Sequence, residues 1–287
     1  MSSSARPGNA MTLRGRRFAW GERTYVMGIV NVTPDSFSGD GSPSAPAAIE
    51  RGLAMLAAGA DLIDIGAQST RPGHTPLDPA AERRRLEPVV AGLRARAPAA
   101  VLSIDTYKAA VFASAFAAGG DMLNSVWGLD EELLAVACET GVPVAIMHNK
   151  GSALYDGDVV SEMLESLETQ ARRALAAGLP RERILLDPGI GFGKTADHNL
   201  AVLGALDRLV GLGFPTLLGT SRKSTIGKLT GRDVGERTYG TAATVALAIA
   251  AKIDIVRVHD VSAMRDVVAV ADAVVRGWRP ADWNHRA

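Results

Sequence analysis

Short apolar runs rich in β-branched residues recur along the chain, and each is followed by a polar or glycine-rich turn and a longer segment of helical period. This alternation predicts repeated strand–helix units. The predicted strands are 25–30, 61–65, 100–104, 122–126, 143–147, 184–186, 216–218 and 253–258. The predicted helices lie near 46–58, 79–96, 107–118, 130–140, 158–178, 197–211, 235–251 and 262–276.

Continuously apolar strands between helices are typical of a parallel sheet that is covered on both faces. Eight such units predict an α/β protein with a (β/α)8 or TIM barrel of about 250 residues. The alternative, an open doubly wound sheet, needs a GxGxxG turn after an early strand, and none occurs. We expect residues 1–20 to form a flexible tail and a hairpin, and 21–287 to form a single barrel domain.

The composition narrows the functional classes. Of 287 residues, 47% are hydrophobic and 22% charged, and 31 basic side chains balance 31 acidic ones, which favours neither a nucleic-acid nor a membrane partner. The alanine-rich segments are interrupted before the roughly 18 apolar residues that a membrane span requires. A single cysteine, Cys138, excludes an intramolecular disulfide, fits a cytoplasmic location and is expected to be a buried core thiol.

Polar residues stand at the carboxyl end of every predicted strand, and in a barrel these ends face one mouth. They are Asn31, Asp64, Asp105, Asn124, His148, Asp187, the segment 221–224, and Arg257 with His259. Singly, each has an ordinary structural explanation; Asp105, for example, is expected to cap the next helix. Arg257 is harder to explain so, because a guanidinium inside a barrel requires an anionic partner. Their coincidence at all eight strand ends favours a binding site.

The residue types indicate the ligands. Arg71, Arg257 and His259, with the turn 221–224 leading into a helix, favour phosphate or diphosphate. Asn31 with Asp35 or Asp40 offers oxygen ligands for Mg²⁺. A flat nitrogen heterocycle fits the mixed donors and acceptors of Asp105, Asn124, Asp187 and Lys223. No Ser-His-Asp or Cys-His nucleophile is evident.

Seven segments resemble the ordered motifs of dihydropteroate synthases between about residue 26 and 260: MGIVNVTPDSFSGDG, LIDIGAQSTRPG, SIDTYK, LNSVWG, LLDPGIGFGK, GTSRKSTIG and VRVHDV. The resemblance implies a pterin-binding TIM-barrel transferase of folate synthesis. Such an enzyme condenses 6-hydroxymethyl-7,8-dihydropterin diphosphate with 4-aminobenzoate, giving 7,8-dihydropteroate and pyrophosphate with Mg²⁺. The resemblance also implies a homodimer. The valine stripe of the helix near 262–276 is a candidate interface, and core packing against the barrel is the favoured explanation of most of that stripe.

Carried over residue by residue, the resemblance assigns the pterin ring to Asp105, Asn124, Met147, Asp187 and Lys223. It assigns the diphosphate to Asn31, Arg71, Arg257 and His259, the metal to Asn31 and Asp40, and the aminobenzoate to Thr70, Pro72, Phe192 and Ser224. The residues expected to carry the reaction are Lys223, Arg71, Asp105, Arg257 and His259.

The chain departs from the family pattern at three places. Gln68 replaces a usual glutamate, Ser125 replaces a usual aspartate, and the order Gly39-Asp40 moves an acid by one position. The second metal ligand is therefore open between Asp40, Asp35 and water. The sequence does not separate a sulfonamide-sensitive enzyme from an insensitive variant. Two alternative functions are an inactive pterin-binding paralogue and a methyltetrahydrofolate:corrinoid methyltransferase.

Overall fold

The computed structural model describes residues 10–32, 41–42, 44–68 and 76–285, and this part of the chain contains two sheets. An antiparallel hairpin consists of β1 (Ala10–Leu13) and β2 (Arg16–Ala19). Eight parallel strands follow: β3 (Tyr25–Asn31), β4 (Leu62–Gly66), β5 (Val101–Asp105), β6 (Met122–Ser125), β7 (Val144–Met147), β8 (Ile184–Asp187), β9 (Leu217–Leu218) and β10 (Ile255–Val258).

The described helices alternate with these strands. They are α1 (Ala45–Ala57), α2 (Pro79–Arg96), α3 (Ala109–Ala117), α4 (Glu131–Thr140), α5 (Val159–Ala176), α6 (Ala196–Gly204), α7 (Leu206–Gly211), α8 (Ser224–Thr230), α9 (Thr238–Ala250) and α10 (Val261–Val275). Short 3-10 turns occupy Arg181–Arg183, Val234–Glu236 and Trp283–His285. No described helix combines the length and apolar character needed to cross a membrane.

The sheet closes on itself. Consecutive strands from β3 to β8 pair in parallel, and β10 pairs with both β9 and β3. An isolated parallel bridge between Leu186 and Thr216 joins β8 to the start of β9. The predicted TIM barrel and its N-terminal hairpin are therefore confirmed. The predicted boundary at residue 20 stays a prediction, and residues 1–9 lie outside the described part.

Strand alternation gives the barrel interior two levels. Side chains two residues apart point to the same face of a strand, so an apolar residue low in the barrel is followed by a polar one nearer the mouth. Such pairs are Leu62 and Asp64, Met122 and Asn124, Leu185 and Asp187, and Ile255 and Arg257. The intervening residues, such as Ile63 and Val256, belong to the separate outer core between strands and helices.

The N-terminal hairpin closes the bottom of the barrel. Met11, Phe18 and Trp20 join one apolar cluster with Tyr25 and the lower interior residues. The Phe18 and Tyr25 ring centroids lie 4.8 Å apart, and the indole N–H of Trp20 donates to the carbonyl oxygen of Glu182 at 3.1 Å. This end of the barrel is therefore packed with side chains, and the opposite mouth is left for chemistry.

Two expectations require correction. The helix predicted at 197–211 is two helices, because the backbone at Ala205 leaves the helical region. Helix α8 follows the turn 221–224, where a helix was expected without stated bounds, and it is only seven residues long. Cys138 is only partly buried, and its Sγ lies 3.4 Å from the carbonyl oxygen of Ala177.

The hairpin should contribute to stability through its buried ring. We expect Phe18→Ala to lower the free energy of unfolding by about 3–5 kcal/mol, because it removes a fully buried phenyl group and leaves a cavity. The matched control is Phe116→Ala, whose side chain is 37% exposed and should contribute roughly 1 kcal/mol. Urea unfolding at equilibrium measures both values, and equal losses would contradict the proposed closing role of the hairpin.

Candidate active site

Arg257 lies in the upper level of the barrel interior, between two carboxylates. Its Nε donates to Oδ2 of Asp64 at 2.5 Å, and its Nη2 donates to Oδ2 of Asp105 at 2.8 Å. The sequence required an anionic partner for this arginine, and the structure supplies two. Because a guanidinium presents several donors in one plane, it is suited to two carboxylates at once.

Asp64 stands among the polar residues predicted at the strand ends but was assigned no role in the site, although it is fully buried and central. The same Oδ2 that binds Arg257 also accepts from Nδ2 of Asn124 at 3.1 Å. This contact fixes the orientation of the Asn124 amide and leaves its carbonyl oxygen as an acceptor for a ligand. The sequence feature that could have indicated its role is an aspartate within the apolar run 62–65. It lies two residues after Leu62, so both side chains point to the barrel interior.

Asp105 does not cap the next helix, contrary to the expectation for an isolated aspartate. Lys108 occupies the N-cap position of α3, and Asp105 is directed toward Arg257 instead. Burial raises the pKa of Asp105 to about 7, although the guanidinium of Arg257 opposes the shift. Within the described residues, Oδ1 of Asp64, Oδ1 of Asp105 and Oγ of Ser103 are buried and have no hydrogen-bond partner.

Asp187 extends this polar group from β8. Its Oδ1 accepts from the backbone N–H of Gly189 at 2.7 Å. Burial raises the pKa of Asp187 to about 6, while that hydrogen bond and the nearby charge of Lys223 oppose the shift. Three carboxylates, Asp64, Asp105 and Asp187, and two cations, Arg257 and Lys223, thus share the upper barrel. The raised pKa values of Asp105 and Asp187 are typical of a functional site.

Lys223 meets the apolar wall of the mouth. Its Nζ lies 4.0 Å from the ring centroid of Phe192, a distance at which the ring face attracts a cation. Phe192 clusters with Met147 and Val126, as expected for a flat ligand site. Gly191, at φ 80°, lets the turn pass close to the Lys223 side chain, since an added Cβ would lie 3.1 Å from its Cδ.

The turn before α8 sets the direction of Lys223. Arg222 adopts a left-handed backbone conformation with φ 57°, and Asp260 holds its side chain through a hydrogen bond of 2.6 Å from Nη2. Its backbone N–H donates to Oγ1 of Thr241 at 3.2 Å. A non-glycine residue at positive φ is strained and is kept there by its surroundings. The turn therefore directs the Arg222 side chain toward Asp260 and the Lys223 side chain toward Phe192.

The other predicted residues border the mouth. Nδ1 of His259 lies 2.8 Å from Oγ of Ser221. Ser224 is exposed and is the first residue of α8, and Asn31 is the last residue of β3. The predicted residues Asp35, Asp40, Thr70, Arg71 and Pro72 lie outside the described residues. Of the two predicted metal ligands, only Asn31 falls in the described part, where no group of three His, Cys, Asp or Glu side chains is arranged to hold a metal ion.

The two described departures from the family pattern have local explanations. Ser125 is buried, and its hydroxyl donates to the carbonyl oxygen of Gly128. It follows Asn124 on the strand, so its side chain points away from the barrel interior. The exchange of aspartate for Ser125 therefore leaves the polar groups of the interior unchanged. Oε1 of Gln68 accepts from Nζ of Lys108 at 2.6 Å and from the backbone N–H of Leu77 at 2.8 Å. Gln68 is thus fully used in holding the chain near the end of β4.

His148 has a structural role, as expected for a lone histidine. Its Nδ1 lies 2.8 Å from Nζ of Lys194, a residue that the sequence reasoning missed. Burial, followed by the charges of Lys194 and Lys150, lowers the pKa of His148 to about 3. The imidazole is therefore neutral at physiological pH and does not serve as a proton store.

The raised pKa of Asp105 predicts a pH dependence of stability. The folded chain holds this proton more tightly than the unfolded chain, whose carboxyl titrates near 3.8, so stability is lost as pH rises toward about 7. Between about pH 5 and pH 8, the wild type should lose about 1–3 kcal/mol more than Asp105→Asn, which cannot ionise there. Denaturant unfolding across this range provides the test, and parallel curves would show an ordinary pKa.

Comparison with known proteins agrees with this geometry. Residues 27–259 match the family model described as pterin binding enzyme. The curated dihydropteroate synthase of Synechocystis is 46% identical over 272 residues, covering 91% of this chain and 93% of that protein. The Xanthomonas albilineans dihydropteroate synthase solved with 4-aminobenzoic acid has a TM-score of 0.87 at 41% identity, over 95% of this chain and 99% of that one. The Clostridium difficile enzyme solved in the presence of pteroic acid has a TM-score of 0.85 at 43% identity, over 90% and 99%. The chain therefore belongs to the dihydropteroate synthase family of pterin-binding enzymes.

Proposed function

We infer that this chain is a dihydropteroate synthase, which joins 6-hydroxymethyl-7,8-dihydropterin diphosphate to 4-aminobenzoate and releases pyrophosphate. The observation that carries this function is the group of buried charges around Arg257, which faces the barrel mouth beside Lys223 and Phe192. We place the reaction in the cytoplasm, where a chain with one cysteine keeps its thiol reduced.

The pterin ring occupies the upper barrel in this proposal. A pterin offers amino and ring N–H donors on one edge and carbonyl and ring-nitrogen acceptors on another. The carbonyl oxygen of Asn124 and the carboxylates of Asp105 and Asp187 accept from the donors, and Lys223 donates to an acceptor. Met147 packs against the ring. The contact of Asn124 with Asp64 supports this assignment, because it presents an acceptor rather than a donor to the ligand.

The reaction requires stabilisation of charge on both fragments. The bond between the pterin methylene carbon and the diphosphate oxygen breaks, and the electron pair leaves with the diphosphate. The amine nitrogen of aminobenzoate forms the new bond to that carbon and then loses one proton to solvent. Arg71, Arg257 and His259 stabilise the leaving diphosphate, while the buried carboxylates stabilise positive charge on the pterin. No strong base is needed, in keeping with the neutral, occupied His148.

Mg²⁺ is the proposed cofactor. It takes few protein ligands and completes its shell with water and phosphate oxygens, so the amide oxygen of Asn31 with Asp40 is a sufficient donor set. When bound, the ion neutralises charge on the diphosphate. The position of Asn31 at the end of β3 supports its assignment to this end of the barrel.

The aminobenzoate binds beside the pterin in this proposal. Its ring contacts Phe192 and Pro72, and its carboxylate accepts hydrogen bonds near Ser224 and Thr70. The distance of 4.0 Å between Lys223 Nζ and the Phe192 ring supports adjacent sites, since one lysine then borders both substrates. Adjacent binding converts the condensation into a reaction between two oriented groups.

Purified protein given the pterin diphosphate, Mg²⁺ and 4-aminobenzoate should release pyrophosphate only when the amine is present. Lys223→Ala should lower kcat/KM by about 100-fold or more, because it removes a charged group from the pocket. Lys228→Ala, an exposed lysine on the same helix, is the matched control and should leave the rate unchanged. Folded wild-type protein that releases no pyrophosphate would favour the inactive paralogue or the methyltransferase. A sulfonamide arm of the same assay distinguishes a sensitive pocket from an insensitive one.

We further propose that the enzyme is a homodimer, and that its interface is an apolar groove on the outside of the barrel. The groove has a volume of about 660 Å³ and lies between α6, α8 and α9. Leu200, Leu229 and Leu247 line it and are 40%, 65% and 60% exposed. Helix α10, the candidate from the sequence, buries Val268 against the barrel and exposes Val270 and Val274. Three leucines around a groove offer more continuous apolar surface than two valines on one helix.

Leu247→Glu should convert the dimer to a monomer, because a carboxylate would be buried in an apolar interface. The matched change Val274→Glu, on the exposed face of α10, should leave the dimer intact. Light scattering after size-exclusion chromatography gives the mass of each protein. A monomeric Val274→Glu with a dimeric Leu247→Glu would move the interface to α10, and a monomeric wild type would refute the dimer.

A further inference from the structure

The turn after β8 carries Phe192, and one buried ammonium fastens it to the end of β7. Nζ of Lys194 donates to the carbonyl oxygens of Gly189 at 3.1 Å and Phe192 at 3.2 Å. It also lies 2.8 Å from Nδ1 of His148 and 3.4 Å from the carbonyl oxygen of that residue. The ammonium therefore connects the two ends of the turn to the neighbouring strand.

The chemistry of the contacts fits an anchor rather than a substrate ligand. An ammonium has three protons, and here four acceptors surround it. The neutral His148 accepts through Nδ1, so its remaining proton resides on Nε2. Burial and the charge of Lys150 lower the pKa of Lys194 to about 8, while Asp187 opposes the shift, so the group is mostly charged at neutral pH. A charged donor to carbonyl oxygens makes stronger hydrogen bonds than a neutral one.

Two other contacts hold the turn at different points. The Tyr155 hydroxyl donates to the carbonyl oxygen of Gly193 at 2.8 Å, and Oδ1 of Asn199 accepts from the Gly191 N–H at 2.8 Å. Neither reaches the carbonyl groups of Gly189 and Phe192 that Lys194 binds. Lys194 thus acts on the residue whose ring faces Lys223.

Phe192 has little freedom while the turn is anchored. It is buried, it packs against Met147 and Val126, and its ring lies 4.0 Å from Nζ of Lys223. A shift of its backbone carbonyl would move the ring relative to Lys223. Small displacements of a binding surface cause large losses of affinity when the contact is an oriented ring face.

We propose that Lys194 is a positioning residue that sets the affinity for 4-aminobenzoate by fixing the Phe192 turn against the end of β7. This inference rests on the proposed role of Phe192 in binding the aminobenzoate ring. It predicts a selective effect, because the hydrogen-bond partners of Lys194 are His148, Gly189 and Phe192. The pterin is assigned to a different set of side chains: Asp105, Asn124, Asp187 and Lys223.

Lys194→Met keeps a long unbranched side chain but removes all three donors. We expect KM for 4-aminobenzoate to rise about tenfold or more, as for the loss of charged hydrogen bonds, while KM for the pterin diphosphate changes less than about twofold. Lys194→Gln keeps two N–H donors and should give a smaller rise in the same parameter. Steady-state kinetics with each substrate varied in turn, together with thermal unfolding, measures these effects.

The neighbouring lysine provides a matched control. Lys150 Nζ donates to the carbonyl oxygen of Leu154 at 2.8 Å and lies 3.3 Å from a carboxylate oxygen of Glu162, so it shares none of the four acceptors around Lys194 Nζ. Lys150→Met should leave both KM values within about twofold of the wild type. An equal rise of both KM values in Lys194→Met would assign Lys194 a general structural role and overturn the proposal.

Phe192→Ala separates the inference from the function on which it rests. If Phe192→Ala leaves KM for aminobenzoate unchanged, the assignment of Phe192 to that pocket is wrong. If Phe192→Ala raises it and Lys194→Met does not, the pocket assignment stands and the anchoring role is refuted. Should Lys194→Met fail to fold, the same comparison is made with Lys194→Gln, and an unchanged KM there refutes the proposal.

Discussion

One guanidinium inside the barrel is bound by two carboxylates, and the arrangement of the mouth depends on it. Asp64 is fully buried and Asp105 nearly so, and both bind Arg257, which comes from the last strand of the barrel. Ionised carboxylates at such depth are strongly unfavourable without a partner, so removal of the arginine would leave two uncompensated charges. Asp64 in turn orients Asn124. The ion pairs that compensate the buried charges therefore also orient the donors and acceptors that face a ligand.

The alternation of the strands explains how one barrel accommodates this charge. On β4, β6, β8 and β10 a polar group near the mouth lies one inward position above an apolar group, as Asp64 lies above Leu62 and Arg257 above Ile255. On β5 the buried Ser103 lies between Val101 and Asp105, so the polar level extends one position deeper there. The lower level, closed by Phe18 and Trp20, supplies hydrophobic stabilisation that the upper level lacks. The apolar level and the polar level are thus separated by two residues along each strand, about 7 Å.

The same alternation shows what the sequence could and could not predict. Apolar runs predicted every barrel strand, and polar residues at their ends indicated Asp105, Asn124, Asp187 and Arg257, which lie together in the upper barrel. The roles of Asp64 and Lys194 were not predicted, because their partners are distant in the chain: Arg257 lies 193 positions from Asp64, and His148 lies 46 positions from Lys194. The consequence of Ser125 was equally invisible, since only the register of β6 shows that it faces away from the interior. The local sequence pattern does not predict contacts between segments that are distant in the chain.

Burial favours the neutral form of two acids, Asp105 and Asp187, and of one base, Lys194, near the barrel mouth. It raises the pKa of Asp105 to about 7 and that of Asp187 to about 6, and it lowers that of Lys194 to about 8. In the proposed pterin site, N–H groups that donate to these carboxylates would favour their ionised form, so the charge would become more complete as the ligand binds. Positive charge that develops on the pterin as the diphosphate leaves favours the ionised carboxylates further. Interaction that is weak in the empty site and grows toward the transition state accelerates the reaction rather than only tightening substrate binding.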